Sequence, residues 1–541
     1  MKGLPKYLIL IILPAFLFIT SRIIKDAQGP YYLNFSDPSY AYLISSLNLA
    51  RGFNIVYTDH PGTTVQVIGA ITIKVYYLLS NKNTDLARDV LMRPEDYLLF
   101  MNGVLIMINC IILFLLGYVT FRLSNKLMLA LLLQLSPFVS WEIFYGLIIV
   151  APDNLLVGIS ACFLILIVYY FYKIDEKNNT PLYFVILFAV VSGFGLATKL
   201  NFLPMIIIPL VLVKKFKNKL TFIITSAVSF LIFVYPVISN YPVFFNWLSR
   251  LAMNSGVHGT GSSNVIDKSS FFNNVILIFT ENYLFLFAYM LIILTLSVTY
   301  LNKKTIESSF HFAFKKYRLI LLTIISSMSL LVFIMSKHYN QYYLVPAIML
   351  CTISISICAK INYEIYKNKL PKLMYIEILL IILLSVWSIW GIEEVYFIIK
   401  DKKAEAYTVL NYIGKNYPDA FIINELPTAG KQCAMAFSLN YAGDQYNNYR
   451  TELTEILPFQ LYYNRGENKI YSMNEGNSVR EYLSLNKKII LKCVPSSPAP
   501  EIIKEKINSI LEVKNTSCKK VFENKYYESV YEIYPGIKMH E

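Results

Sequence analysis

The 541-residue chain is 56% hydrophobic and only 16% charged, with a mean hydropathy of +0.49. That is too apolar for a soluble globular protein and fits a polytopic membrane protein. The net charge of +14 does not indicate nucleic acid, because Lys and Arg cluster between apolar runs, as membrane topology requires.

The first apolar run, roughly 5–24, follows Lys2 and Lys6 and has no small-residue cleavage site behind it, so it reads as a retained span. A long polar loop, 25–96, comes next. Within it, 38–51 places Tyr40, Leu43, Leu47 and Ala50 on one helical face. Asp37 suits the N-cap, Pro38 the first helical position and Gly52 the stop. Segment 63–80 is apolar but carries Lys74 near its middle, where a bilayer-centre charge costs roughly 3 kcal/mol. It is therefore read as an interfacial helix.

Further runs able to cross about 30 Å of hydrocarbon lie at 97–121, 127–149, 153–172, 181–198, 220–240, 276–301, 318–336, 342–359 and 373–398. A shorter run, 200–213, pairs with 181–198 as a tight hairpin, for about 11 spans in all. With 63–80 on the surface, 17 Lys and Arg fall in the loops on the N-terminal side and four in the short opposite loops. The positive-inside rule then sets the N-terminus in the cytoplasm of a plasma (inner) membrane. Loop 25–96, the turn near 150–153, Lys199, loop 241–275, segment 337–341 and everything after about 400 become exoplasmic.

Residues 1–399 thus read as the membrane domain and 400–541 as an exoplasmic soluble α/β domain. The latter has helical stretches at 403–416, 430–440, 478–486 and 500–511 and β-like runs at 420–425, 487–494 and 527–534. Seven Cys show no CxxC spacing, and one disulfide among Cys433, Cys493 and Cys518 is compatible with their number.

Polar residues of chemical interest gather on the exoplasmic side. Asp37 reads either as a general base or as a helix cap. Asp153, after Pro152 at a span start, is also favoured there by the helix dipole. His60 lies in Asp59-His60-Pro61-Gly62, where a turn accounts for the Pro and Gly but not for the His. Lys199 reads as a snorkelling interfacial lysine or as a point charge for a phosphate. His258 sits in a Gly-rich loop that allows close backbone approach to a ligand. Lys337 and His338 interrupt two apolar runs, as a plain hairpin turn also would.

With these motifs the chain resembles the polytopic glycosyltransferases of the GT-C class, in the branch of protein O-mannosyltransferases and lipid A aminoarabinose transferases. The likeness rests on Asp37 with Tyr40 in the first exoplasmic loop, on Gly52 with His60-Pro61, and on Pro152-Asp153 with Thr198-Lys199. It covers about 1–400, and the acidic pair usual in the first motif is absent, since Pro38 follows Asp37. The resemblance implies a polyprenyl-phosphate sugar donor and inverting transfer to a lipid, glycan or protein acceptor. It implies Asp37 as base, Asp153 in acceptor orientation or metal assistance, and Tyr40, His60, Lys199, His258, Lys337 and His338 as substrate contacts. A divalent metal is compatible with it but not required. An oligosaccharide ligase with a pyrophosphate-linked donor shares the architecture. A lipid-linked glycan transporter is the rival from another class, though polar residues at one face and no repeat speak against it.

Overall fold

This computed structural model describes residues 4–34, 36–59, 61–80, 84–174, 180–254, 263, 268–301, 311–337, 339–366, 376–457, 461–465, 468–472, 479–484, 488–495, 497–535 and 537–538. Among them, eight helices are long and apolar enough to cross a membrane: Tyr7–Gln28, Pro94–Ser124, Pro152–Lys173, Phe216–Met253, Tyr283–Leu301, Lys315–Met335, Tyr342–Tyr366 and Ile378–Asn416. Three shorter apolar helices, Thr63–Leu79, Leu182–Thr198 and Leu200–Leu212, accompany them. The protein is a polytopic helical membrane protein with a strand-containing C-terminal region.

The run at 127–149 is not one helix. It forms Leu127–Gln134, a 3-10 turn at Ser136–Phe138 and Glu142–Leu147. Pro137 cannot donate to the helical ladder. Ser136 instead bonds the Leu133 carbonyl and Thr352, and the Ser140 hydroxyl accepts from the Glu142 N–H. The last long helix also runs past the expected domain start, as Ile376–Asn416 without interruption.

The chain divides into two compact units. The first comprises Met1–Arg22, Thr58–Val65 and Gly103–Val395; the second comprises Ile23–Tyr57, Gln66–Asn102 and Tyr396–Glu541. Most of the long polar loop therefore groups with the C-terminal region.

In the second unit the helix expected at 38–51 forms, but it is buried on nearly all sides rather than amphipathic, with Tyr42, Ser45, Ser46 and Asn48 buried alongside Tyr40, Leu43 and Leu47. Asp37 is extended at φ −95° and ψ 124°, as a residue before proline prefers. Regular helix then runs to Ala50, and Gly52 at φ +84° closes it while the Phe53 N–H reaches the Asn48 carbonyl.

The C-terminal strands are β1 (Phe421–Glu425), β2 (Leu461–Asn464), β3 (Lys469–Ser472), β4 (Ile489–Cys493), β5 (Val513–Lys514), β6 (Ser517–Glu523), β7 (Ser529–Tyr534) and β8 (Ile537–Lys538). Six make one mixed sheet in the order β3-β2-β1-β4-β7-β6, and β5 pairs with β8. Strands β2, β1 and β4 run parallel; the others in the sheet pair antiparallel. Central β4 is buried along its whole length, which suits its Ile489-Ile490-Leu491 run. One sheet face packs Ile423, Leu461, Leu491 and Ile533 with Ile503 and Ile507 of helix Ala499–Leu511. Ile490 and Val530 pack with Val409 and Ile413, from the end of helix Ile376–Asn416. None of the seven cysteines forms a disulfide.

Candidate functional site

In the first unit the structure joins three of the sequence motifs. Asp153 is the second residue of helix Pro152–Lys173, behind a proline at the first position. Lys199 follows the last residue of helix Leu182–Thr198. Each charge is thus at the helix end its sign prefers. Lys199 Nζ donates to both Asp153 carboxylate oxygens, at 2.7 and 2.8 Å, and both residues are buried. Two of the three ammonium donors are therefore taken by one carboxylate. The ammonium also lies 4.4 Å from the ring centroid of Tyr343 and 5.5 Å from that of Tyr342, within cation–π range.

The backbone around Lys199 explains its reach. Its extended φ of −159° breaks the helix and frees it to bridge antiparallel to Pro61. The Gly62 N–H donates to the Thr198 carbonyl at 3.1 Å, and the Thr64 and Thr198 hydroxyls meet at 2.7 Å. Pro61-Gly62 and the Thr198-Lys199 turn are thus stitched together beside the ion pair. Asn201 fixes the aromatic side by donating to the Tyr343 carbonyl at 2.8 Å. Asn154, next to Asp153, bonds the Leu147 and Ile149 carbonyls and accepts from Asn109, which anchors the helix start.

In the second unit Asp37 lines a cavity of about 240 Å³. Its polar walls come from Asn34, Ser36 and Asp37, from Lys402, from Thr428, and from Asn524, Tyr526 and Glu528. Asp37 is exposed and Glu528 partly buried. Glu528 accepts from the Ala429 N–H at 3.2 Å, and Lys492, itself buried, donates to the Ala429 carbonyl. Burial pushes the Glu528 carboxyl above the usual carboxylate range, partly opposed by the Lys492 charge and the Ala429 bond.

No protein-family model and no curated protein matches the sequence. The chain is similar to the crystal structure of ArnT from Cupriavidus metallidurans bound to undecaprenyl phosphate, over 96% of this chain and 97% of that one, at 11% identity and a TM-score of 0.46.

The remaining expected residues are placed as follows. Tyr40 is fully buried in the second unit, and its hydroxyl donates to Glu95 at 2.7 Å. Glu95 also accepts from the Tyr31 and Tyr32 N–H groups, so the trio ties two parts of the loop together. Lys337 donates to the Ala252 carbonyl in the first unit. His60, His258 and His338 lie outside the described residues, as does the Gly-rich stretch around His258. Among the described residues no three His, Cys, Asp or Glu side chains gather to hold a metal ion. Sequence reasoning did not reach Tyr343, Thr64 or Glu528. A Tyr-Tyr pair at the start of an apolar run was a signal for the first; the second Thr of a helix start and a Glu in a turn gave none.

Proposed function

We propose that the protein is a membrane glycosyltransferase that moves a sugar from a polyprenyl-phosphate carrier to an acceptor hydroxyl on the exoplasmic face. The reading is supported above all by the stitched cluster of the first unit. A buried lysine is held by a carboxylate, two tyrosine rings and a Pro-Gly loop, at the ends of helices long or apolar enough for a membrane. A phosphate leaving from a lipid needs a fixed cation where its charge develops. Lys199 is that cation in this reading, and Asp153 orients it until the phosphate draws on the same ammonium. Asp37 is the base: its carboxylate takes the acceptor proton, the acceptor oxygen bonds to the anomeric carbon from the opposite face, and the bond to phosphate breaks. The configuration at that carbon inverts, and the polyprenyl phosphate departs with the electron pair.

The test is transfer by the full chain in membranes supplied with polyprenyl-phosphate sugars, with release of polyprenyl phosphate as the readout. Asp37→Asn should lose transfer while still inserting in the membrane. Wild-type activity in that variant removes Asp37 as the base. Absence of any polyprenyl-phosphate release by wild type across the common hexose and pentose donors overturns the reading as a whole.

A further inference from the structure

The sheet of the second unit has a topological switch point. From β1 the chain moves to β2 on one side, and β4 arrives parallel on the other. In open sheets with parallel strands, the crevice outside the carboxyl ends of two such strands is where ligands bind. The 240 Å³ cavity lies there: Pro427, Thr428 and Ala429 follow β1, while Val494 and Pro495 follow β4. Asn524, Tyr526 and Glu528, in the turn between β6 and β7, make a further wall.

That turn is rigidly built. The Asn524 side-chain carbonyl accepts from the Tyr526 N–H at 3.0 Å and from the Glu528 N–H at 2.9 Å, and Tyr527 takes φ +64° between them. The turn therefore holds the Glu528 carboxyl against Ala429, on the strand-end loop. The lining is chemically selective. Lys402 offsets the charge of Asp37, and burial favours the neutral form of the Glu528 carboxyl, so the lining carries little net charge and suits a neutral ligand. The Asn34 amide, the Ser36 and Thr428 hydroxyls and the carboxyl oxygens match the alternating donors and acceptors of a polyol. The volume is below the roughly 300–1,000 Å³ of sites for drug-sized ligands, so it suits a single ring.

We propose that the crevice at the carboxyl ends of β1 and β4 binds one neutral sugar ring, with Glu528 and Asp37 as hydrogen-bonding groups on it. That this sugar belongs to the acceptor rests on the glycosyltransferase reading; the binding itself does not. The C-terminal region then supplies a recognition surface for substrate rather than a cover.

Carboxyl footprinting tests this. The full chain in detergent is treated with a carbodiimide and glycine ethyl ester, and modification at Asp37 and Glu528 is read by peptide mass spectrometry. Methyl α-glucoside, α-mannoside and α-galactoside serve as probes, with glycerol phosphate as the anionic control. At least one glycoside should protect both carboxyls, and glycerol phosphate neither. Thr428→Trp, which fills the crevice, should remove the protection. Glu528→Ala should raise the glycoside concentration for half-protection of Asp37 about fivefold or more, the loss of one hydrogen bond to the ligand. If no glycoside protects, if glycerol phosphate protects equally, or if Glu528→Ala leaves half-protection unchanged, the site is refuted. Protection by a glycoside in a chain that releases no polyprenyl phosphate would refute the transferase reading and leave the sugar site standing.

Discussion

The Asp153–Lys199 cluster and the Asp37–Glu528 cavity each bring together residues far apart in the chain, but they treat charge in opposite ways. In the first, both charges are buried and face each other through two short hydrogen bonds. In the second, carboxyl groups line an open crevice, and Asp37 is exposed. A buried pair owes its geometry first to the fold, because either partner alone is a desolvated charge. An exposed carboxylate carries no such desolvation cost.

Breaking the buried pair should have the largest effect. Lys199→Met leaves Asp153 buried and unpaired, with an expected loss of about 3–5 kcal/mol in denaturant or thermal unfolding. The double variant Asp153→Leu with Lys199→Met should recover most of that stability while polyprenyl-phosphate release stays absent. Recovery of activity along with stability would make the pair purely structural.

Asp37→Asn should show the opposite profile: stability within about 0.5 kcal/mol of wild type, and transfer reduced about 10²–10⁴-fold. Parallel losses of stability and activity would erase the distinction between the two regions.

Within the second unit, fully buried Glu425 at the end of β1 accepts from Arg465, from the Ser497 hydroxyl and from the Val494 N–H. It thereby ties the ends of β1, β2 and β4. Arg465 is about half exposed, and Arg465→Ala leaves the other two bonds in place. A loss of about 1–2 kcal/mol is expected, smaller than at Lys199. Tyr40→Phe removes one of three bonds to Glu95 and should cost about 1 kcal/mol with transfer unchanged. A specific loss of donor affinity in that variant would return Tyr40 to the substrate site.

The smallest effect concerns pH. The Glu528 carboxyl is held above its ordinary value by burial. Below the ordinary carboxyl pKa of about 4.3, folded and unfolded chains both hold the proton. As pH rises past that value the unfolded chain releases it first, so the stability contributed by the protonated carboxyl is lost up to and through the folded pKa. Glu528→Gln should therefore match wild type near pH 4 and gain on it towards neutral pH in thermal melts. A gap of the opposite sign would mean that the Lys492 charge outweighs burial.

Local patterns were enough for much of this protein. Long apolar runs mark most of the membrane helices, although the run at 127–149 breaks at Pro137. Asp37-Pro38 and Gly52 mark the ends of one helix, and Pro152-Asp153 the start of another, because caps are short-range chemistry. Strands β1, β4 and β7 showed as β-like runs. Strand β6, with its consecutive lysines at a sheet edge, did not, because an edge strand needs little apolar surface. Strands β2 and β3 were too short to signal a period.

By itself, then, the sequence determined a polytopic membrane chain, an α/β C-terminal region and a short set of polar residues worth watching. Only the tertiary structure decided that Lys199 belongs to Asp153 and bridges Pro61, that Tyr40 serves Glu95, and that Asp37 shares a crevice with Glu528. The reason is physical. Hydrophobic periodicity and capping act over a few residues, whereas an ion pair or a cavity wall between residues tens to hundreds apart leaves no repeating mark in the chain.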